Sequence, residues 1–256
     1  MSTRGPGAAA ERRVAVVTGA GRGLGRTIAQ VLHREGYAVV VTGLKQEAVE
    51  QVAADLDPSG ATAWGVSLDV REKDEFERVL AGSVQRFGGV HVLVNNAGTA
   101  RAEKLLDISP DSFRDVLATN ISGAFFGGQV FGRYFAERGH GRIVNMASLA
   151  GQNGGTSTGS HYAAAKGGVL TLTKVFARDL AAQGVTVNAV SPGPVESRAV
   201  EEIVGPEGVD ALTRSIPVGA LGSQEFIAKA VVLLAGVDAG GVTGACWDVN
   251  GGLYLR

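Results

Sequence analysis

The stretch Val14-Ala15-Val16-Val17-Thr18-Gly19-Ala20-Gly21-Arg22-Gly23-Leu24-Gly25 decides the fold. Its first four residues are an apolar run of the length and branching expected of a parallel strand buried on both faces. A glycine-rich turn follows at once, and beyond it Ile28, Ala29, Val31 and Leu32 recur at helical spacing. Strand, glycine turn and helix N-terminus in that order make a phosphate cradle. Glycines let the backbone come close, and the unpaired N–H groups with the helix dipole favour negative charge. Thr18, Gly19, Gly21, Arg22, Gly23, Leu24 and Gly25 are therefore expected to border a dinucleotide cofactor.

Outward from this unit, apolar strands and helical segments alternate. A second strand runs from Tyr37 to Gly43 and leads to a helix over Glu47 to Leu56. The strand ends in Gly43-Leu44-Lys45, where the adenosine ribose of a dinucleotide is met. An acid there would accept from the ribose 2′-hydroxyl; none is present. Arg22 and Lys45 can meet a 2′-phosphate or face solvent. The reading favours NADP(H) and leaves NAD(H) open. Further strands are expected near Thr62 to Ser67, His91 to Val94, Arg142 to Met146, Val185 to Val190 and Cys246 to Val249. Helices are expected over Glu72 to Phe87, Asp111 to Glu137, Tyr162 to Ala182 and Gln224 to Leu234. The Ser109-Pro110-Asp111 start carries an N-cap, a first-turn proline and an acid at the positive end of the dipole.

Such alternation predicts one doubly wound α/β domain of the Rossmann type, residues 13–256, with a seven-stranded parallel sheet and helices on both faces. Residues 1–12 read as a flexible leader. Ligands of these sheets sit at the strand carboxyl ends. Asp69 and Val70 stand at one such end, and Asn95, Asn96, Ala97 and Gly98 at another. Turn capping by Asx hydrogen bonds is the other reading of Asp69 and Asn95. Val195 to Pro217, where no period dominates, and the glycine-rich loop Gly151 to Gly159 are expected to border the substrate, the first as a mobile lid.

Composition agrees and excludes alternatives. Of 256 residues, 45% are hydrophobic and 19% charged, enough to bury one large core. A net charge of −1 with dispersed signs argues against a nucleic acid or an anionic membrane as partner. The single cysteine, Cys246, rules out an internal disulfide, and no apolar run approaches membrane length. No secretory signal core is present, so a cytoplasmic protein is expected. His33, His91, His140 and His161 lack metal-ligand spacing, so no metal is expected; His161 is placed at the pocket edge or surface.

The chemistry points to Tyr162-Ala163-Ala164-Ala165-Lys166. Four residues apart on a helix, the phenol and ammonium share a face one turn apart. A cation so placed lowers a phenol's pKa and makes it a tunable proton donor and acceptor. Asn120 falls mid-helix among apolar neighbours, where asparagine is unfavourable.

Together these segments resemble the short-chain dehydrogenase/reductase family, from about Arg13 to Leu255. The matching residues are Thr18-Gly19-x-x-x-Gly23-x-Gly25, Asp69, Asn95-Asn96-Ala97-Gly98, Asn120, Ser148, Tyr162-x-x-x-Lys166 and Pro192-Gly193. Within the family the chain looks most like β-ketoacyl-acyl-carrier-protein reductases. The resemblance implies Tyr162 as general acid or base, Lys166 lowering its pKa and holding the nicotinamide ribose, and Ser148 binding the substrate oxygen. It implies Asn120 as the holder of a relay water, Asp69 against the adenine, and Asn95 with Asn96, Ala97 and Gly98 lining the cofactor. Pro192, Gly193 and Val195 would flank the nicotinamide. A homotetramer and a carbonyl or secondary-alcohol substrate are implied too, a 3-oxoacyl thioester or related ketone foremost. The alternatives are an NAD-dependent alcohol, sterol or sugar dehydrogenase and, remotely, a non-catalytic dinucleotide sensor. Two features depart from the family pattern. The Ser148 to Tyr162 separation is one residue longer than the commonest spacing. The second-strand end has neither the acid of NAD users nor the arginine common in NADP users.

Overall fold

Apolar runs too short for helices fold as strands; helices on both faces bury the inner ones, while the two edge strands stay partly exposed. A computed structural model describes residues 12–155, 158–197, 200 and 205–255. Its strands are β1 (Val14–Val17), β2 (Ala38–Gly43), β3 (Ala63–Ser67), β4 (Val92–Asn95), β5 (Gly141–Met146), β6 (Val185–Pro192) and β7 (Cys246–Val249). They form one parallel sheet in the order β3-β2-β1-β4-β5-β6-β7. The order reverses between β1 and β4, and at such a switch point the flanking crossovers leave a crevice above the carboxyl ends.

Along β1 the side chains alternate between two cores. Ala15 and Val17 pack with Ile28, Leu32, Val49, Ile227 and Val231, from α1 (Gly23–Arg34), α2 (Gln46–Leu56) and the helix Gln224–Ala235. Val14 and Val16 pack with Phe76, Val79, Phe131, Phe135 and Ala177 on the other face. That face is covered by α3 (Lys73–Phe87), α5 (Gly123–Arg138) and α7 (Ser160–Leu180). Arg13 fastens the start of β1 by donating to Tyr37 Oη at 3.0 Å and to the Ala235 carbonyl at 2.7 Å.

The expected helix from Asp111 to Glu137 is two helices joined by a π-turn. The first, α4 (Pro110–Leu117), starts at the Ser109 N-cap, whose hydroxyl accepts from Ser112 N. The π-turn spans Ala118–Ser122, and α5 continues from it. The cause is Asn120, whose Nδ2 donates to the Val116 carbonyl at 2.8 Å and to Thr99 O at 2.8 Å. A side chain inserted into the i→i−4 ladder forces the backbone to take the wider turn.

Two other elements differ from expectation. The Gly151 to Gly159 loop begins with one helical turn, α6 (Ala150–Asn153), which Gly154 ends at φ 89°. The lid region contains the helix Pro206–Ser215. Its first-turn proline and Glu207 and its last-turn Arg214 were the available signals. Val195 bridges Gly222, and Gln224 Nε2 donates to Glu196 O at 2.6 Å, so the start of the lid is tied to the chain that follows it. Residues 198, 199 and 201–204 of the lid, 156 and 157 of the loop, and most of the expected leader lie outside the described residues.

Candidate active site

At the carboxyl end of β1 the chain turns through Thr18 and Gly19 into α1. The Thr18 hydroxyl accepts from the backbone N–H groups of Asn96 and Ala97, both at 2.9 Å. Asn96 returns the tie, its Nδ2 donating to Thr18 O at 2.9 Å and Gly19 O at 3.2 Å. Thr18 and Asn96 thus build the turn from either side of the switch point. Gly25, in the first turn of α1, is pressed so close that an added Cβ would collide with the Gly19 carbonyl and the Asn96 amide. By contrast Gly23, at φ 56°, has nothing within 4 Å of an added Cβ. An open side facing unpaired helix N–H groups is the cradle a pyrophosphate fits.

Gly43 closes β2, and Arg22, Leu44 and Lys45 are all exposed, Leu44 at 70%. Asp69 accepts from Arg71 N at 3.0 Å and pairs with the Arg71 guanidinium, which holds its carboxyl below the usual range. Its Asx turn sets the path from β3 into α3, with Val70 buried against Gly123. Asn95 departs from the expectation. Its Nδ2 donates to Asn145 Oδ1 at 2.9 Å and the Ala124 carbonyl at 3.3 Å. It therefore stitches β4 to β5 and α5 instead of lining the crevice.

Ser148, Tyr162, Lys166 and Asn120 converge above the ends of β4 and β5. Lys166 is 4% exposed, donates from Nζ to the Met146 carbonyl at 2.7 Å, and lies 5.7 Å from the centre of the Tyr162 ring. Ser148 lies beside the Tyr162 phenol and acts to lower its pKa. Gly98 brings the β4 end over the same spot, where an added Cβ would lie 2.6 Å from Asn120 Oδ1 and 3.5 Å from Lys166 Nζ. Asn120 Oδ1 is buried without a hydrogen-bond partner, an acceptor aimed at this point. Pro192 and Gly193 close β6 beside it: Pro192 O accepts from Leu149 N at 2.9 Å, and Gly193 N donates to Val249 O at 2.9 Å. Val195 follows at the lid's base.

The electrostatics differ from the expected lysine-acidified phenol. Burial pushes the Tyr162 phenol up, with Ser148 pulling the other way. Burial also pushes Lys166 down to about 8. Withdrawing both groups from water favours their neutral forms, and here that outweighs their attraction across the helix turn.

Comparison with known proteins decides the family. Residues 19–254 match the family model described as enoyl-(acyl carrier protein) reductase. The chain belongs to the short-chain dehydrogenase/reductase family. It is 36% identical to the 3-oxoacyl-(acyl-carrier-protein) reductase FabG of Haemophilus influenzae, over 95% of this chain and 98% of that protein. The corresponding Pseudomonas aeruginosa protein is 37% identical, again over 95% and 98%. Among solved structures, a variant actinorhodin polyketide ketoreductase with NADPH superposes with a TM-score of 0.89 at 36% identity, covering 94% of this chain and 97% of that one. A short chain dehydrogenase from Bacillus anthracis gives 0.86 at 30% identity, covering 95% and 97%. As a member of this family, the chain is an NAD(P)-dependent oxidoreductase. The open glycine cradle and the unpartnered Asn120 oxygen fit such a cofactor.

Three parts of the site escaped sequence reading. The Met146 and Thr99 carbonyls hold Lys166 and Asn120, and backbone groups leave no mark in a sequence. Gln152, one turn beyond Ser148, joins Ser191 Oγ at 3.0 Å to Asp248 Oδ1 at 2.6 Å. His161, expected at the pocket edge or surface, is 0% exposed. Adjacent helical positions do point apart, but the face opposite Tyr162 is packed against protein, not solvent. Among the described residues no cluster could hold a metal ion, and no helix is long and apolar enough to cross a membrane.

Proposed function

We propose that the chain is an NADPH-preferring reductase of 3-oxoacyl or closely related ketones, with Tyr162 as the proton donor. The observation that carries this reading is the Tyr162 ring 5.7 Å from the buried Lys166 ammonium, which shares the pocket beneath Gly98 with the unpartnered Asn120 oxygen. Two hydroxyls converging on one point are suited to a single carbonyl oxygen, which becomes an alkoxide as its carbon is reduced. Bound nicotinamide supplies the hydride. Tyr162, its phenol pushed up by burial, holds its proton at neutral pH and delivers it to that oxygen. Ser148 donates to the same oxygen and orients it. Lys166, charged below pH about 8, stabilises the phenolate left behind. Asn120 offers its unpartnered Oδ1 beside Lys166, a place for a bridging water in reprotonation.

Names of the relatives support the substrate class, and the NADPH in the polyketide ketoreductase structure supports the cofactor. The absence of an acid after Gly43 points the same way. Since the family model carries an enoyl reductase description, the test includes both reactions. Oxidation of NADPH is followed with a β-keto ester, a 3-oxoacyl thioester and the corresponding 2-enoyl thioester. Turnover of the two ketones, lost about 10²-fold or more in Tyr162→Phe, is expected. Turnover of the enoyl thioester alone, or unchanged ketone turnover in the variant, would sink the assignment. Exposed Phe125 and Val175 on α5 and α7 support an assembly through these helices, a homotetramer, which light scattering would size.

A further inference from the structure

Helix α7 begins Ser160-His161-Tyr162, so His161 precedes the proposed proton donor directly. Its imidazole is 0% exposed, and neither Nδ1 nor Nε2 has a hydrogen-bond partner. An imidazole carries a donor and, when neutral, an acceptor, and such groups are seldom buried unpaired. One carboxylate faces it: Glu103 Oε2 stands 3.9 Å from Nε2. The other oxygen, Oε1, already accepts from the Ser112 hydroxyl at 2.7 Å. The neighbouring cation, Arg101, is engaged by Asp115 and Ser112 Oγ. Among the described residues, His161 is the one basic group within ion-pair range of Glu103.

Glu103 lies on a strap, residues 98–104, that leaves β4 and crosses the site. At its near end the Thr99 carbonyl accepts from Asn120 Nδ2 at 2.8 Å. At its middle the Arg101 carbonyl accepts from Gly159 N at 2.7 Å, and Gly159 is the N-cap residue of α7. Gly159 is seated so tightly on the imidazole that an added Cβ would collide with the ring. The strap therefore touches the support of Asn120, the start of the tyrosine helix and, through Glu103, His161.

We propose that His161 is a positioning residue: by pairing with Glu103 it clamps the 98–104 strap onto the start of α7, fixing Tyr162 relative to Asn120 and Ser148. Closing the gap from 3.9 Å to hydrogen-bond length takes a movement of about 1 Å, made when substrate and cofactor are held. The inference rests on the Tyr162 reading above. A misplacement of that size can lower turnover substantially without touching substrate binding.

His161→Phe keeps the ring's shape and removes its N–H; His161→Gln keeps a donor within reach of Glu103. We expect kcat to fall about tenfold in the Phe variant with KM within about twofold, and the Gln variant to recover most of the loss. Combining His161→Phe with Glu103→Leu should cost no more than either change alone, because one pair is removed once. Independently of turnover, the His161 Cε1–H resonance of the NADPH-bound protein should move on Glu103→Gln. Equal losses in the Phe and Gln variants, additive losses in the double variant, or a resonance indifferent to Glu103→Gln would each overturn the proposal. A protein that reduces no ketone would refute the functional reading instead, and the resonance would still decide whether the pair exists.

Discussion

Replacing Lys166 by methionine should make the protein inactive and, near neutral pH, slightly more stable. The ammonium is 4% exposed and its pKa falls from 10.5 to about 8, with desolvation as the cause. At about 1.4 kcal/mol per tenfold change in proton affinity, holding it charged costs the folded state roughly 3 kcal/mol. Methionine fills a similar volume without the charge. It also removes the donor to the Met146 carbonyl, and an unpaired buried carbonyl costs about 1–3 kcal/mol. The net change at pH 7 is a gain of roughly 1 kcal/mol.

The sign of the pH dependence tests the reasoning more sharply than the size of that gain. The folded pKa of Lys166 is depressed, so between pH about 8 and 10.5 the unfolded chain binds more protons than the folded one. Over that window the stability of the wild type rises with pH through this group, and the variant has no such term. The variant's advantage at pH 7 should therefore shrink and reverse, shifting by roughly 2–3 kcal/mol toward the wild type by pH 10. Urea unfolding of both proteins at matched concentration, at pH 7 and at pH 10, measures the difference directly, because effects common to both cancel. A stability difference that stays constant across this range would refute the claim that a desolvated ammonium sits beside Tyr162. A loss of several kcal/mol at pH 7 would show that the Met146 hydrogen bond outweighs desolvation.

Two further substitutions probe the cofactor side. Leu44 is 70% exposed, so Leu44→Asp should leave stability within about 0.5 kcal/mol. It would place a carboxylate where a ribose 2′-hydroxyl can donate to it and a 2′-phosphate is repelled. The ratio of kcat/KM for NADPH over NADH should fall at least about tenfold, and an unchanged ratio would contradict the NADPH reading. Gly25→Ala puts a methyl against the Gly19 carbonyl and the Asn96 amide, both part of the turn itself. We expect a loss of about 1–3 kcal/mol in thermal unfolding together with loss of cofactor binding in a fluorescence titration; a variant that binds normally would show that the turn can yield.

How much of this was legible in the sequence follows from which interactions are local. The β1 run, the glycine turn and the Tyr162/Lys166 spacing are written in consecutive residues, and the structure places them as read. The same holds for the sheet, whose strands announce themselves by branching and length. What stayed hidden depends on partners distant in the chain. Asn120 looked out of place in a helix, and the structure explains it: the Thr99 carbonyl, 21 residues away, pulls its amide inward and a π-turn absorbs the strain. His161 was expected at the pocket edge or surface because helical geometry says which residues diverge, not what covers the far side. The strap carrying Glu103 does that.

The tyrosine illustrates the limit most directly. Sequence spacing established that an ammonium and a phenol lie one turn apart, and in water that arrangement acidifies the phenol. Whether it does so in the fold depends on how far each group is removed from solvent, which no spacing encodes. Here β5, Gly98 and Asn120 close over the pair, so both are driven toward neutrality and Lys166 reaches a pKa of about 8. A neutral phenol is the acid that ketone reduction needs, and a lysine titrating near pH 8 can lose its charge just where alcohol oxidation is favoured. The reductive direction should accordingly fail first as pH rises through about 8, from loss of the ammonium that stabilises the phenolate, well before Tyr162 itself ionises. A reductive kcat that held constant to pH 10 would mean that Lys166 keeps its proton in the working enzyme, and with it the simpler picture in which the lysine is a permanent cation.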